Sequence, residues 1–419
     1  MILFELKYAY PLLILVYLCA SLVVIYVPKQ IYQTRQLQNI LHLILLAVLI
    51  VFGLLITTDQ YTDMIRMSED MRQATQQGLS YLYKIYAFSP LSATLVSIGA
   101  ITHSSHIMQA ISVGIFYGSF FAVLGLVIRK VHGAPWVSTF SVLLIMLTVD
   151  FTQVSTNGRF WSSVGLAVLG MGIVETRILG TRVSNIVGTL LCLAAVLMHF
   201  GIFALVMIYA VMKIASRTWK FVALLFLLLH FLLMSPLSKV LDSLPWLYAK
   251  MLSKKIDLYF GLAPEFGQSY DATRPFSWWL LIYCTIIGVT ACFILGMLTM
   301  NAETSRKLSA STCIWLLAGT IAFSVGSLYS WTVSGRYSIL SSICLVPFLF
   351  LVFSSSSYTQ SFAVAGKRVM PSRSGVQYSI ICILILLIIG TGVVRYRTTY
   401  DNYFIDFTLF HLNGFLDIE

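Results

Sequence analysis

Two polar residues stand where hydrocarbon tolerates neither: Arg159 in Thr156-Asn157-Gly158-Arg159-Phe160, and His199 in Leu197-Met198-His199-Phe200-Gly201. Each interrupts a long apolar run, and an ionisable group at such a break is expensive unless it faces a polar cavity or a charged ligand. Arg336, in Trp331-Thr332-Val333-Ser334-Gly335-Arg336-Tyr337, repeats the pattern, and all three lie within two residues of a glycine. The planar guanidinium fork suits phosphate oxygens better than a lysine does, so two such forks converging make a pyrophosphate clamp. A histidine in the same recess is a candidate base for a hydroxyl. Asp59 and Asp63 are the competing carboxylates, sharing one face if residues 57–72 are helical, with Arg66 as an ion-pair partner or a further phosphate-binding cation.

Each of these residues also has a plainer reading. The arginines near helix ends are equally placed as snorkelling anchors, and a lone histidine in an apolar run is often a core residue bonded to a carbonyl. Asp59, Asp63 and Arg66 read also as a solvated face. Asp150, inside an apolar segment, calls for an ion pair or hydrogen bond within the bundle. His103 and His106 have no third ligand nearby in the sequence, so no metal site is expected, and no nucleotide or flavin motif implies a cofactor.

The elements that must position these residues are membrane helices. Of 419 residues, 58% are hydrophobic and 10% charged, with a mean hydropathy of +0.87, more apolar surface than a soluble fold can hide. Seven cysteines, all in apolar stretches without paired spacing, read as small core residues. The net charge of +11 is spread over short loops, which argues against a nucleic-acid partner.

Windows of about 20 apolar residues mark about twelve crossings: residues 8–27, 39–57, 107–128, 135–155, 160–178, 183–198, 201–214, 218–238, 276–300, 310–329, 338–354 and 377–394. Alternate loops then collect Lys29, Arg35, Arg129, Lys130, Arg177, Arg182, Lys213, Arg217, Lys220, Arg306, Lys307, Lys367, Arg368 and Arg373, with only Glu175 and Glu303 beside them. By the positive-inside rule that face is cytoplasmic, both termini are outside, and Arg159, His199 and Arg336 share the outer face. The chain reads as one transmembrane domain over residues 1–419, with outer segments at 58–106 and 239–275 and an outer tail at 395–419. Within the first, Leu79, Leu82, Tyr83 and Tyr86 repeat as an amphipathic helix over 78–88, and 91–101 read as a partial insertion. Two short helices meeting at His199-Phe200-Gly201 would hold the histidine below the outer headgroups.

In order and spacing, Gly78 to Phe88, the basic turn Arg129 to Pro135, Asn157-Gly158-Arg159-Phe160, Met198-His199-Phe200-Gly201 and Ser334-Gly335-Arg336-Tyr337 resemble the EpsG-like branch of the Wzy-type polysaccharide polymerases. That family commonly shows Gly-Ile-Arg-Gln at the first break and Phe-His-Lys-Ser at the second, and this chain departs at Phe160, Phe200 and Gly201. The resemblance implies a GT-C-like membrane glycosyltransferase on the outer face of the bacterial cytoplasmic membrane. It would polymerise undecaprenyl-pyrophosphate-linked oligosaccharides into O-antigen, capsule or exopolysaccharide, with the lipid bilayer and a chain-length regulator as partners. Arg159, Arg336 and Arg66 would grip the pyrophosphate, and His199, Asp59 or Asp63 would take the acceptor proton. An O-antigen ligase or polyprenyl-phosphate-sugar transferase would use the same clamp. A lipid-linked-sugar flippase is the alternative from another class, although the two halves of the chain show no repeat of broken helices.

Overall fold

The computed structural model describes residues 3–26, 31–56, 63–131, 135–259, 276–299, 310–354, 373–398 and 404–406. The chain divides into two compact units, Met1–Val206 with Arg395–Glu419, and Met207–Val394. Among the described residues, seven helices are long and apolar enough to cross a membrane, and a bent pair raises the number to eight. The protein is an all-α polytopic membrane protein. Among the described residues the one sheet is a pairing of Leu3–Glu5 with Phe404–Asp406.

The first unit contains α1 (Leu6–Tyr26), α2 (Ile31–Leu55), α3 (Asp63–Gln77), α4 (Ser80–Ile85), α5 (Pro90–Thr102), α6 (Ser105–Val131), α7 (Pro135–Thr148), α8 (Phe151–Thr156), α9 (Gly158–Thr176) and α10 (Thr181–Met198). Glycines decide how the central three pack, because lipid tails are as apolar as leucine and only close backbone approach adds contact. Gly158, Gly165 and Gly172 face α6: a Cβ at these positions would stand 2.1 Å from Ser112 Oγ, 2.8 Å from the Ile115 carbonyl and 2.7 Å from Val123 Cγ2. The partners ascend together, so α6 and α9 run parallel. On another face Gly170 meets Gly188, its added Cβ 2.6 Å from that carbonyl, and Cys192 Sγ lies 3.9 Å from the Ala167 carbonyl, so α9 and α10 form an antiparallel hairpin. Arg129, Lys130, Arg177 and Arg182 therefore gather at one end of this bundle, and Arg159 and His199 at the other.

Residues 63–102 cap the Arg159 end. On α3, Met64, Met67, Met71 and Ala74 form the apolar stripe, and they join Leu82, Tyr86, Ala93, Val96 and Ala100 in one core closed by Met108 of α6 and Met198 of α10. Gly99 admits Met71, whose Sδ would lie 2.7 Å from an added Cβ. The helix expected over 78–88 is shorter: Gly78 sits at φ +88°, outside helical geometry, and Leu82 and Tyr86 turn inward while Leu79 and Tyr83 remain exposed. With 13 residues, α5 is shorter than the roughly 20 residues of a crossing.

The second unit contains α12 (Arg217–Leu229), α13 (Phe231–Ser243), α14 (Leu247–Tyr259), α15 (Phe276–Thr299), α16 (Ala310–Gly326), α17 (Trp331–Ser354) and α18 (Arg373–Thr398), with α11 (Phe203–Ile214) at its start. The crossing expected at 218–238 is instead folded by 79° at His230. The bend frees backbone carbonyls, and His230 Nδ1 donates to that of Leu227 at 2.6 Å while Nε2 accepts from Ser327 Oγ at 3.2 Å. Its ring stacks on Phe323 with centroids 4.5 Å apart. Polar side chains re-satisfying broken backbone are what make such a bend tolerable in a membrane.

Two other expectations change. The crossing expected at 135–155 ends at Thr148, because Asp150 caps a separate helix α8, accepting from Thr152 N at 2.9 Å and Thr152 Oγ1 at 2.8 Å. Arg336, expected in a break, lies in the second turn of α17, since the break falls earlier, at Ser327–Ser330. Residues 260–275 of the expected second outer segment, and 399–403 and 407–419 of the tail, lie outside the described residues, as do Arg306, Lys307, Lys367 and Arg368.

Candidate functional site

The α8–α9 break sets Arg159. Asn157 leaves helical geometry at φ −107° and ψ 46°, and its carbonyl restarts the helix by accepting from the amides of Phe160 at 3.2 Å and Trp161 at 3.3 Å. Gly158 follows because Ser112 occupies the space of a side chain there. Arg159 then points into the cap and is only 7% exposed, its guanidinium carbon 4.8 Å from the centroid of the Tyr86 ring. The Tyr86 hydroxyl donates to Asp70 of α3. Burial raises the Tyr86 phenol above its ordinary value near 10, the nearby Arg159 and Arg66 charges pull it down, and the Asp70 bond raises it further. The group is thus a cation, an aromatic face, a phenol and a carboxylate, with Arg66 at its exposed margin.

A buried cation loses several kcal/mol of hydration, roughly, and a cation–π contact returns about 0.5–2 kcal/mol. Arg159 Nε has no hydrogen-bond partner among the described residues. The same holds for both amide atoms of Gln109, the hydroxyls of Ser105 and Ser162, Asn157 Oδ1 and Trp161 Nε1. Each such atom costs about 1–3 kcal/mol while unpaired.

His199 stands at the same end. It leaves α10 in extended geometry, and its Nδ1 accepts the Gly201 amide at 3.0 Å, capping the 3-10 turn Phe200–Ile202. Gly201 is required because an added Cβ would lie 2.9 Å from the imidazole. The ring meets Phe160 edge-on with centroids 5.4 Å apart, and Ser92 of α5 donates to the adjacent Met198 carbonyl. With Nδ1 accepting that amide, the proton of the neutral ring belongs on Nε2, and accepting a proton at Nδ1 breaks the cap.

Arg159 and His199 are thus brought to one end and linked through Phe160. Asp59 lies outside the described residues, and Asp63 is placed only as the first residue of α3. Arg66 is exposed on α3, and Arg336 belongs to the second unit, on α17. Among the described residues no three His, Cys, Asp or Glu side chains gather as a metal site. Sequence reasoning passed over Asp70, Tyr86 and Gln109. The signal for Asp70 was available, because it lies seven residues after Asp63 and four after Arg66, on the same helical face. Comparison with protein-family models, with curated proteins and with solved structures gave no match.

Proposed function

We propose that this chain is a membrane-embedded glycosyltransferase that joins lipid-diphosphate-linked oligosaccharide repeat units into a surface polysaccharide, as in the Wzy-type polymerases it resembles. The observation that carries the reading is Arg159: a guanidinium held against Tyr86, almost wholly buried, with a donor still to be satisfied. Such a group is worth most to a charge that develops beside it in a dry site.

In the proposed reaction the acceptor hydroxyl oxygen bonds to the anomeric carbon of the donor as that carbon's bond to phosphate breaks. The electron pair leaves on the lipid diphosphate, which Arg159 stabilises. The hydroxyl proton passes to a carboxylate, for which Asp70 of α3 is the described candidate and Asp59 and Asp63 are the competing ones. His199 donates from Nε2 to the diphosphate or a sugar oxygen. The gathering of Arg129, Lys130, Arg177 and Arg182 at the far end supports an outward-facing site in the cytoplasmic membrane by the positive-inside rule. Twelve crossings and a GT-C-like architecture belong to the same proposal.

The test is complementation of a deletion strain, with surface polysaccharide resolved by length and protein abundance measured alongside. Wild type restores a ladder, while Arg159→Ala at normal abundance leaves the single-repeat species alone. Arg336→Ala and His199→Ala are run in parallel to test the roles implied for them. A normal ladder from Arg159→Ala refutes the site, and loss of the single-repeat species as well points to a flippase.

A further inference from the structure

The bend at His230 leaves a membrane crossing unfinished. With 13 residues, α12 rises about 20 Å at roughly 1.5 Å per residue, against a hydrocarbon core of about 30 Å. Beside it α16 runs in the same direction. The Phe221 and Trp315 rings meet edge-on with centroids 4.9 Å apart near their starts, and at their ends a Cβ added to Gly326 would stand 2.5 Å from the Leu227 carbonyl and 2.6 Å from that of Leu228. At 17 residues α16 supplies only about 25 Å. Two neighbours therefore end together at a level shallower than a full bilayer, and α13 leaves that level at 79° to α12. A helix so nearly perpendicular to a crossing one lies close to the membrane plane.

Its side chains are arranged for that position. On α13, Leu233, Leu237 and Val240 form an exposed apolar stripe at i, i+4 and i+7. The side turned to α14 is polar at its centre, where Ser253 donates to the Ser238 carbonyl at 3.0 Å and Ser238 donates to the Asp257 carboxylate. A hairpin standing in water would shelter the leucines and expose the serines. The stripe also continues the exposed apolar side of α12, where Leu225, Phe226 and Leu229 face outward. Charge falls on the other helix, with Lys250 and Lys254 exposed on α14. Trp246, 69% exposed, stands at the turn between the two. Tryptophan and lysine both settle where hydrocarbon gives way to headgroups.

We infer that α13 and α14 form an interfacial hairpin set into the leaflet farthest from Arg217, with Leu233, Leu237 and Val240 among the acyl chains and Lys250 and Lys254 at the phospholipid phosphates. Amphipathic helices of this kind sink their apolar face about 5–10 Å into the boundary between headgroups and chains. Since α12 and α16 are short, the lipid beside them thins locally to meet the hairpin. The hairpin's placement is independent of the reaction proposed for the first unit.

The experiment uses the intact protein in nanodiscs of phosphatidylethanolamine and phosphatidylglycerol. The exposed Cys19, Cys284 and Cys382 are replaced by serine, and a nitroxide is attached through Leu237→Cys, Val240→Cys or Lys254→Cys in separate variants. Relaxation of each label is then measured with oxygen, which concentrates among acyl chains, and with a water-soluble nickel chelate. The ratio of oxygen to nickel accessibility is expected to be several-fold higher at Leu237 and Val240 than at Lys254. Equal nickel access at all three would place the hairpin in water and overturn the inference. Shielding of Leu237 and Val240 from both reagents would assign the stripe to a protein partner, a second copy of this chain included, and overturn it equally. Both stripe positions are exposed, so the labels displace no packed side chain, and melting curves confirm that each variant is folded.

Discussion

Gly158→Ala is the substitution from which the geometry extracts most. The added Cβ would stand 2.1 Å from Ser112 Oγ and 2.7 Å from Ser112 Cβ. A serine hydroxyl can rotate away, but its Cβ is fixed to the backbone, so α6 and α9 must separate by roughly 1 Å to restore carbon–carbon contact near 3.5–4.0 Å. Overpacking of this kind costs about 1–3 kcal/mol. Alanine's better helix propensity returns up to about 1 kcal/mol, leaving a net loss of about 0–3 kcal/mol with its middle near 1–2 kcal/mol. In thermal unfolding of the purified intact protein this lowers the midpoint by roughly 2–8 °C. Because Arg159 is the next residue, the same displacement draws its guanidinium off the Tyr86 ring, so on the proposed function the polysaccharide ladder shortens more than protein abundance falls. Ser112→Gly removes both clashing atoms, and the double variant must therefore be more stable than the sum of the singles predicts, by about 1 kcal/mol or more. Strict additivity would refute the close α6–α9 approach and the placement of Arg159 that depends on it.

Burial holds the proton on Tyr86 in the folded state, so above its ordinary value near 10 the unfolded chain ionises while the folded one resists. Stability then falls as pH rises past that point, and alkaline melting curves should show Tyr86→Phe losing less than wild type. His199→Asn keeps an oxygen that can cap the Gly201 amide and should melt near wild type, whereas His199→Leu should lose about 1 kcal/mol. If the imidazole also takes part in chemistry, the ladder stays absent in both. At the 79° bend, His230→Leu leaves the Leu227 carbonyl and the Ser327 hydroxyl without their partner. A loss of about 2–3 kcal/mol is expected, read as lower abundance and an earlier melt. An unchanged melt would show that the bend does not depend on that ring.

Hydropathy alone made the chain a membrane protein of apolar helices, because hydrocarbon admits so few backbone solutions that composition decides the class. Local chemistry also revealed the breaks at Asn157-Gly158 and at His199-Phe200-Gly201, since a polar residue beside a glycine in an apolar run is legible at short range. What the sequence could not convey was the length of each helix once neighbours intervened. Asp150 ended a segment that hydropathy ran through to residue 155, and His230 folded another that windows treated as straight. Both are decided by hydrogen bonds, which an average over apolarity does not register.

The site divides along the same line. Arg159 and His199 were visible as costly residues, and their common end followed from counting crossings. That Arg159 lies on Tyr86 and that Tyr86 is tied to Asp70 required α3 to α6 to fold against α9. Sequence fixes the cost of burying a charge, because that depends on residue type and its apolar surroundings. Which groups offset the cost depends on contacts between residues some 50 to 90 positions apart, and only the packed chain determines those.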